Sequence, residues 1–274
     1  MKKIVIAAAA FAPLAGAAPA FAQEADTEPF TVSANVALVS DYRFRGVSQS
    51  DRELAIQGGI TVQHESGLYA GTWASNLSGW GTFGGSNTEL DLFAGYAFPL
   101  AGGKLDVGLT WYMYPGGANK TDFAEPYVKL SGDVGPVNLL AGVAYAPKQQ
   151  ALGNWSNTPQ SAIGDKEDNL YLWGDVAYSI PETPVKLKAH LGYSDGNPGL
   201  GPNGTSVAPT GEYLDWLIGA EAAVGPLTVG ISYVDTDISA AESAYIRAPN
   251  GGFQTAEGKS IAGETVVLSV SAAF

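Results

Sequence analysis

The chain of 274 residues has no cysteine, and only two histidines and two methionines. Without thiols there is no disulfide framework, no thiol catalysis and no thiolate metal site. Charge is scarce as well, at 15% Asp, Glu, Lys and Arg against about 25% in an average soluble domain. Cations are the scarcer sign, 14 against 27 acids, for a formal net charge of −13. That balance argues against nucleic acid and an anionic headgroup surface as ligands. Beyond residue 22 no apolar run reaches 18 residues, so the chain has no helical membrane span.

What is plentiful is glycine, with 35 residues, and a two-residue alternation of polar and apolar side chains. The first 22 residues stand apart: two lysines, a short apolar stretch rich in alanine, and an Ala20-Phe21-Ala22 end. This is the pattern of a secretory signal peptide cut before Gln23, which leaves residues 23–274 as the folded unit.

In a strand successive side chains point to opposite faces, so parity sorts residues 30 to 45 into two rows. Phe30, Val32, Ala34, Val36, Leu38, Tyr42 and Phe44 share one face, and Thr31, Ser33, Asn35, Asp41, Arg43 and Arg45 the other. About twelve such segments follow one another, near the roughly ten residues that a tilted strand needs to cross a bilayer. Their apolar rows include Leu54 to Val62, Tyr69 to Trp73, Leu90 to Phe98, Leu105 to Met113 and Val266 to Phe274, each read at every second residue. The opposite rows carry Gln57, Glu89, Asp91, Asp106, Glu125, Lys129, Asp175, Lys186, Lys188, His190, Asp215 and Glu221. A register slip of one residue would turn all of these toward the apolar side.

The connections alternate in length. Short ones lie at 65–67, 99–103, 134–136, 181–184 and 224–226; long ones rich in Gly, Asn, Pro and Ser lie between them. Short turns on one side and long loops on the other are the wiring of an outer-membrane barrel. The aromatics fall into two belts on the apolar face. Phe30, Tyr69, Tyr96, Phe98, Tyr178 and Phe274 sit at the short-turn end, and Tyr42, Phe44, Trp111, Tyr145, Tyr193, Trp216 and Tyr233 at the loop end. Such belts mark the two membrane interfaces.

The stretches SDYRFRGVSQS (40–50), GGITVQHESGLYAGTWASNL (58–77), ELDLFAGYAF (89–98) and LYLWGDVAYSI (170–180) resemble the TorF family of porins, also known by the domain label Gcw_chp. The resemblance covers essentially all of residues 23–274 and implies an outer-membrane channel. It supplies no catalytic or binding residue.

Several features carry a sharper and a blander reading. Folding the hairpin about residues 181–184 sets Asp175 opposite His190. Ser194, about 13 Å along the strand, is out of reach of that histidine, so a lumen-wall hydrogen-bond pair is favoured over a nucleophilic triad. His64 on the apolar face reads as an interfacial ring. GNPGLGPNG (196–204) has phosphate-loop glycines but no helix to follow, hence turn chemistry. The acidic clusters at 164–169 and 235–237 read as solvated loops rather than a metal site.

The expectation is therefore an all-β, antiparallel transmembrane β-barrel of about 12 strands in the bacterial outer membrane, without metal or cofactor and without catalysis. Asp41, Arg43 and Arg45 join Glu89, Asp91, Glu125, Lys129, Asp175, Lys186, Lys188, His190, Asp215 and Glu221 as its pore lining. The expected function is passive diffusion of small hydrophilic solutes, with a mild cation preference because carboxylates outnumber cations on the inner rows. A structural or adhesive barrel with a closed lumen is the alternative. The expected partners are outer-membrane lipid, small solutes and the barrel-assembly machinery. The aromatic-ended segment ETVVLSVSAAF is the expected element that this machinery recognises.

Overall fold

The computed structural model describes residues 29–153, 162–197, 207–246, 253–255 and 257–274. The expected signal peptide, and residues 198–204 of the glycine-rich stretch, lie outside them. Strand β1 (Phe30–Val39) is followed by a two-stranded ribbon, β2 (Arg43–Phe44) and β3 (Val47–Ser48). The wall continues with β4 (Ala55–His64), β5 (Leu68–Asn76), β6 (Thr88–Leu100), β7 (Gly103–Met113), β8 (Phe123–Val134) and β9 (Val137–Gln149). It is completed by β10 (Glu167–Ser179), β11 (Val185–Gly196), β12 (Glu212–Val224), β13 (Leu227–Thr236) and β14 (Thr265–Ala273).

Apart from the ribbon, each strand pairs antiparallel with its neighbours, and β14 returns to β1, so the sheet closes as a twelve-stranded barrel. Closure leaves no strand edge, the condition for a sheet in hydrocarbon.

The outer surface is apolar. Ile56, Ile60, Leu191, Ile218, Ile231 and Leu268 all lie more than half exposed, an arrangement that water would not tolerate but lipid requires. The short connections gather at one end and the long ones at the other. At the long-loop end the one described α-helix, α1 (Ala240–Tyr245), starts from a capping box in which Ser239 and Glu242 exchange hydrogen bonds.

Two register expectations fail. In β5 the lumen row is Tyr69 and Trp73, both buried, while Leu68 faces out. The aromatic row was assigned to the wrong side because Ala, Gly and Thr fill the rest of that strand and give no contrast. Tyr69 is therefore not an interface residue; its hydroxyl meets Asp106 and Tyr127.

The second failure is at the end of β1, which stops at Val39. Arg45 and Gly46 have φ of 48° and 79°, so the chain turns back where a continuing strand would have carried it outward. Residues 41–50 fold into the barrel instead, and all but Phe44 in that run are buried. Tyr42 and Phe44, expected at the outer interface, lie inside. Tyr42 packs edge-on against Trp73 and donates to Glu89, and Phe44 packs edge-on against Tyr112.

Candidate functional site

The inward-folded segment crosses the lumen, fastened to the wall by Arg45 and to the connection before β14 by Arg43. Arg43 Nε donates to Asp41 at 2.6 Å, and its Nη1 donates to the carbonyls of Gly46, Ile261 and Gly263. Arg45, at the tip of the ribbon, donates through Nη2 to both oxygens of Glu125 on β8 at 2.7 Å. Its guanidinium also lies 4.1 Å from the Tyr171 ring centroid on β10, and Tyr213 on β12 donates to its carbonyl at 3.0 Å. Burial lowers the Arg45 pKa but Glu125 outweighs it, and the net shift is upward, so the side chain stays charged.

The remaining charges of the lumen wall are mostly paired across strands. Lys129 meets Asp106 at 3.0 Å, and Lys186 and Lys188 both reach Glu221, at 3.2 and 3.4 Å. His190 stands between two carboxylates: Nδ1 is 2.6 Å from Asp175, and Nε2 is 3.2 Å from Asp215 and 2.9 Å from the Tyr171 hydroxyl. Both ring nitrogens are thereby engaged, and neither faces a nucleophile.

Glu89 and Asp91 on β6 differ from the rest. Both are buried, and among the described residues neither has a cation within salt-bridge distance. Tyr42, Tyr112 and Tyr114 surround them. Burial first, and then Glu89 and Asp91, push the Tyr42 hydroxyl well above its usual pKa, so it remains a donor.

A cavity of about 190 Å³ lies under the ribbon, lined by Arg45, Lys129, Trp173, Asp175, Lys188 and His190 among others. Above the ribbon, Val47, Tyr213, Ile238, Ile246, Phe253 and Ile261 pack into a core of their own. The long-loop end thus carries a roof of side chains.

Of the aromatics expected at the interfaces, Phe30, Tyr96, Trp111, Tyr145, Tyr233 and Phe274 are exposed on the outer surface, and Phe98, Tyr178, Tyr193 and Trp216 are partly covered. Tyr145 and Tyr233 turn their hydroxyls to Asp168 and Asp235. His64 stacks edge-on against Phe30.

Sequence reasoning missed the tyrosines of the lumen: Tyr112, Tyr127, Tyr171 and Tyr213. A signal existed, since each shares parity with the charged residues of its strand. It also missed the inward fold of residues 41–50, for which Arg45-Gly46 was the cue.

A closed barrel with an apolar exterior and an ionic, tyrosine-lined interior defines a transmembrane β-barrel of the porin-like fold. The chain belongs to the Gcw_chp family, whose model, described as a bacterial protein of unknown function, matches residues 22–274. No curated protein matches it in sequence. Among solved structures it is similar to the KdgM porin, with a TM-score of 0.51 and 8% identity over 88% of this chain and 99% of that one. It is more distantly similar to the COG4313 outer membrane channel from Pseudomonas putida F1, with a TM-score of 0.43 and 12% identity over 88% and 94% of the two chains. At such identities the likeness is one of fold.

Proposed function

We propose that this protein is a porin-like channel of the bacterial outer membrane, of the kind the TorF resemblance implies, that passes small hydrophilic solutes by diffusion. The observation that carries this reading is a closed barrel whose buried charged side chains, among them Asp106, Glu125, Lys129, Lys188, Asp215 and Glu221, all turn inward, with a cavity of about 190 Å³ in the lumen. Twelve strands leave a lumen between the side-chain-filled interior of eight and the open pore of sixteen. The ribbon of residues 41–50 narrows it further, so conductance is small.

A mild cation preference follows from the ion pairs. Once each lumen cation is set against its partner, Glu89, Asp91 and one of the two aspartates at His190 stand against one surplus lysine at Glu221, a net excess of two carboxylates. Acidic linings favour cations. Arg43 and Arg45 are held by Asp41 and Glu125 and do not reverse that sign. The barrel-assembly machinery is the proposed partner for insertion, through β14 and Phe274.

A second reading, a barrel closed by its own loops, is favoured by the packed roof over the ribbon. Planar-bilayer recording of the refolded protein in a salt gradient decides between them. Discrete conductance steps with a cation-selective reversal potential are expected. An anion-selective value refutes the charge argument, and an electrically silent but inserted barrel refutes the channel.

A further inference from the structure

Among the described residues, each carboxylate in the interior of the lumen wall and ribbon except two has a cationic neighbour. Asp41 has Arg43, Asp106 has Lys129, Glu125 has Arg45, Glu221 has two lysines, and Asp175 and Asp215 share His190. Glu89 and Asp91 are only 2% and 3% exposed, and burying a carboxylate without a counter-charge is among the most unfavourable things a fold can do. They are two residues apart on one face of β6, so both point to the same patch of lumen.

Other oxygen groups lie at or beside that patch. Tyr42 holds its hydroxyl 3.2 Å from both Glu89 oxygens. Thr110, on the lumen face of β7 and 2% exposed, has an Oγ1 with no hydrogen-bond partner, and Asp91 Oδ1 has none either. The register sets Thr110 between Phe93 and Glu125, one step from the Asp91↔Tyr112 pair. A small cavity of about 10 Å³ bordered by Glu89, Gln49 and Tyr114 lies on the Glu89 side of the patch, about the space of one water.

We propose that Glu89 and Asp91 bind one divalent cation of the calcium class, with the hydroxyls of Thr110 and Tyr42 beside it. The donor set is all oxygen and contains no imidazole or thiol, which suits a hard cation rather than zinc or copper. Two carboxylates match its charge. Because Tyr42 belongs to the inward segment, the bound ion braces the ribbon against β6. The site stands whether or not the barrel conducts; because its occupant neutralises Glu89 and Asp91, the cation preference is expected of the chelator-stripped protein.

The test uses the full folded protein in detergent, stripped with a chelator, dialysed and titrated with calcium chloride. One calcium per barrel is expected, with a melting temperature above that in potassium chloride of equal ionic strength. Glu89→Gln with Asp91→Asn should bind none and melt at one temperature with calcium or chelator. If that double variant does not fold, Thr110→Val alone should weaken binding about tenfold, the size of one lost ligand or hydrogen bond near 1.4 kcal/mol. Asp235→Asn with Asp237→Asn, at the outer end of β13, should leave the stoichiometry at one. No bound calcium, unchanged binding in the Glu89 and Asp91 variant or in Thr110→Val, or loss of binding in the loop variant overturns the assignment.

Discussion

Replacing Arg45 with alanine should undock the ribbon from the lumen. Arg45 is buried with Glu125, its Nη2 lies 2.7 Å from both carboxylate oxygens, and its guanidinium rests on Tyr171. Removing one member of a buried ion pair costs about 3–5 kcal/mol, because the other charge is left unpaired. The ribbon is the element that can respond, since the wall strands are held by their ladders. At about 1.4 kcal/mol per factor of ten, the docked-to-undocked ratio falls by about two to three and a half orders of magnitude. Single-channel conductance should rise, and the melting temperature should drop. Adding Glu125→Ala should restore most of the stability, because the stranded carboxylate goes with it, while conductance stays high because the tether is still missing. The reasoning fails if Arg45→Ala leaves conductance unaltered and costs less than about 1 kcal/mol, the range of an exposed pair. It also fails if the double variant is no more stable than the single one.

Asp51 sits beyond the ribbon with φ of 57°, and burial, followed by Glu257, Glu53 and Asp41, raises its pKa above 3.8. A carboxyl whose folded pKa is raised favours the folded state when protonated and disfavours it as pH climbs through that raised value. Asp51→Asn should therefore raise the melting temperature more at pH 7 than at pH 3, whatever offset the amide adds at both; an equal change at the two pH values contradicts the sign. An epitope inserted beside Ile163, exposed in the connection between β9 and β10, should be reached by antibody on intact cells, and one beside Glu182, between β10 and β11, should not. Equal labelling of the two would overturn the up-and-down wiring.

The wall was legible because its two faces differ in chemistry along whole strands. Val266, Leu268 and Val270 alternate with Ser269 and Ser271, and Lys186, Lys188 and His190 alternate with Leu187 and Leu191, which leaves one register possible. Cross-strand partners followed: Asp175 pairs with His190 in the ladder. Legibility ended where contrast or periodicity ended. In β5 the outer row beyond Leu68 is Ala70, Thr72 and Ala74, so the rings of Tyr69 and Trp73 dominate the pattern from the wrong side. In residues 40–45 the alternation continues in sequence, but the backbone leaves the sheet at Ser40. Parity cannot report a turn that its own residues do not interrupt. The acidic pair Glu89 and Asp91 was placed on the inner row, yet whether a carboxylate has a partner depends on strands remote in sequence, such as β1's continuation through Tyr42.

The meeting of β1 and β14 has a kinetic consequence. Its ladder runs from Asn35↔Ala273 to Val39↔Ser269, five pairs against ten between β1 and β4. Just above it, Arg43 grips the carbonyls of Ile261 and Gly263, and Arg52 those of Ser260 and Glu264. The stretch after the first strand is thus buttoned to the stretch before the last, at sequence separations of 208 to 220. Chain entropy makes such distant pairings the slowest to form. The seam's own pairs are more distant still, so ribbon and seam form late and together, and the two arginines act as a latch that slows the shortest seam from reopening.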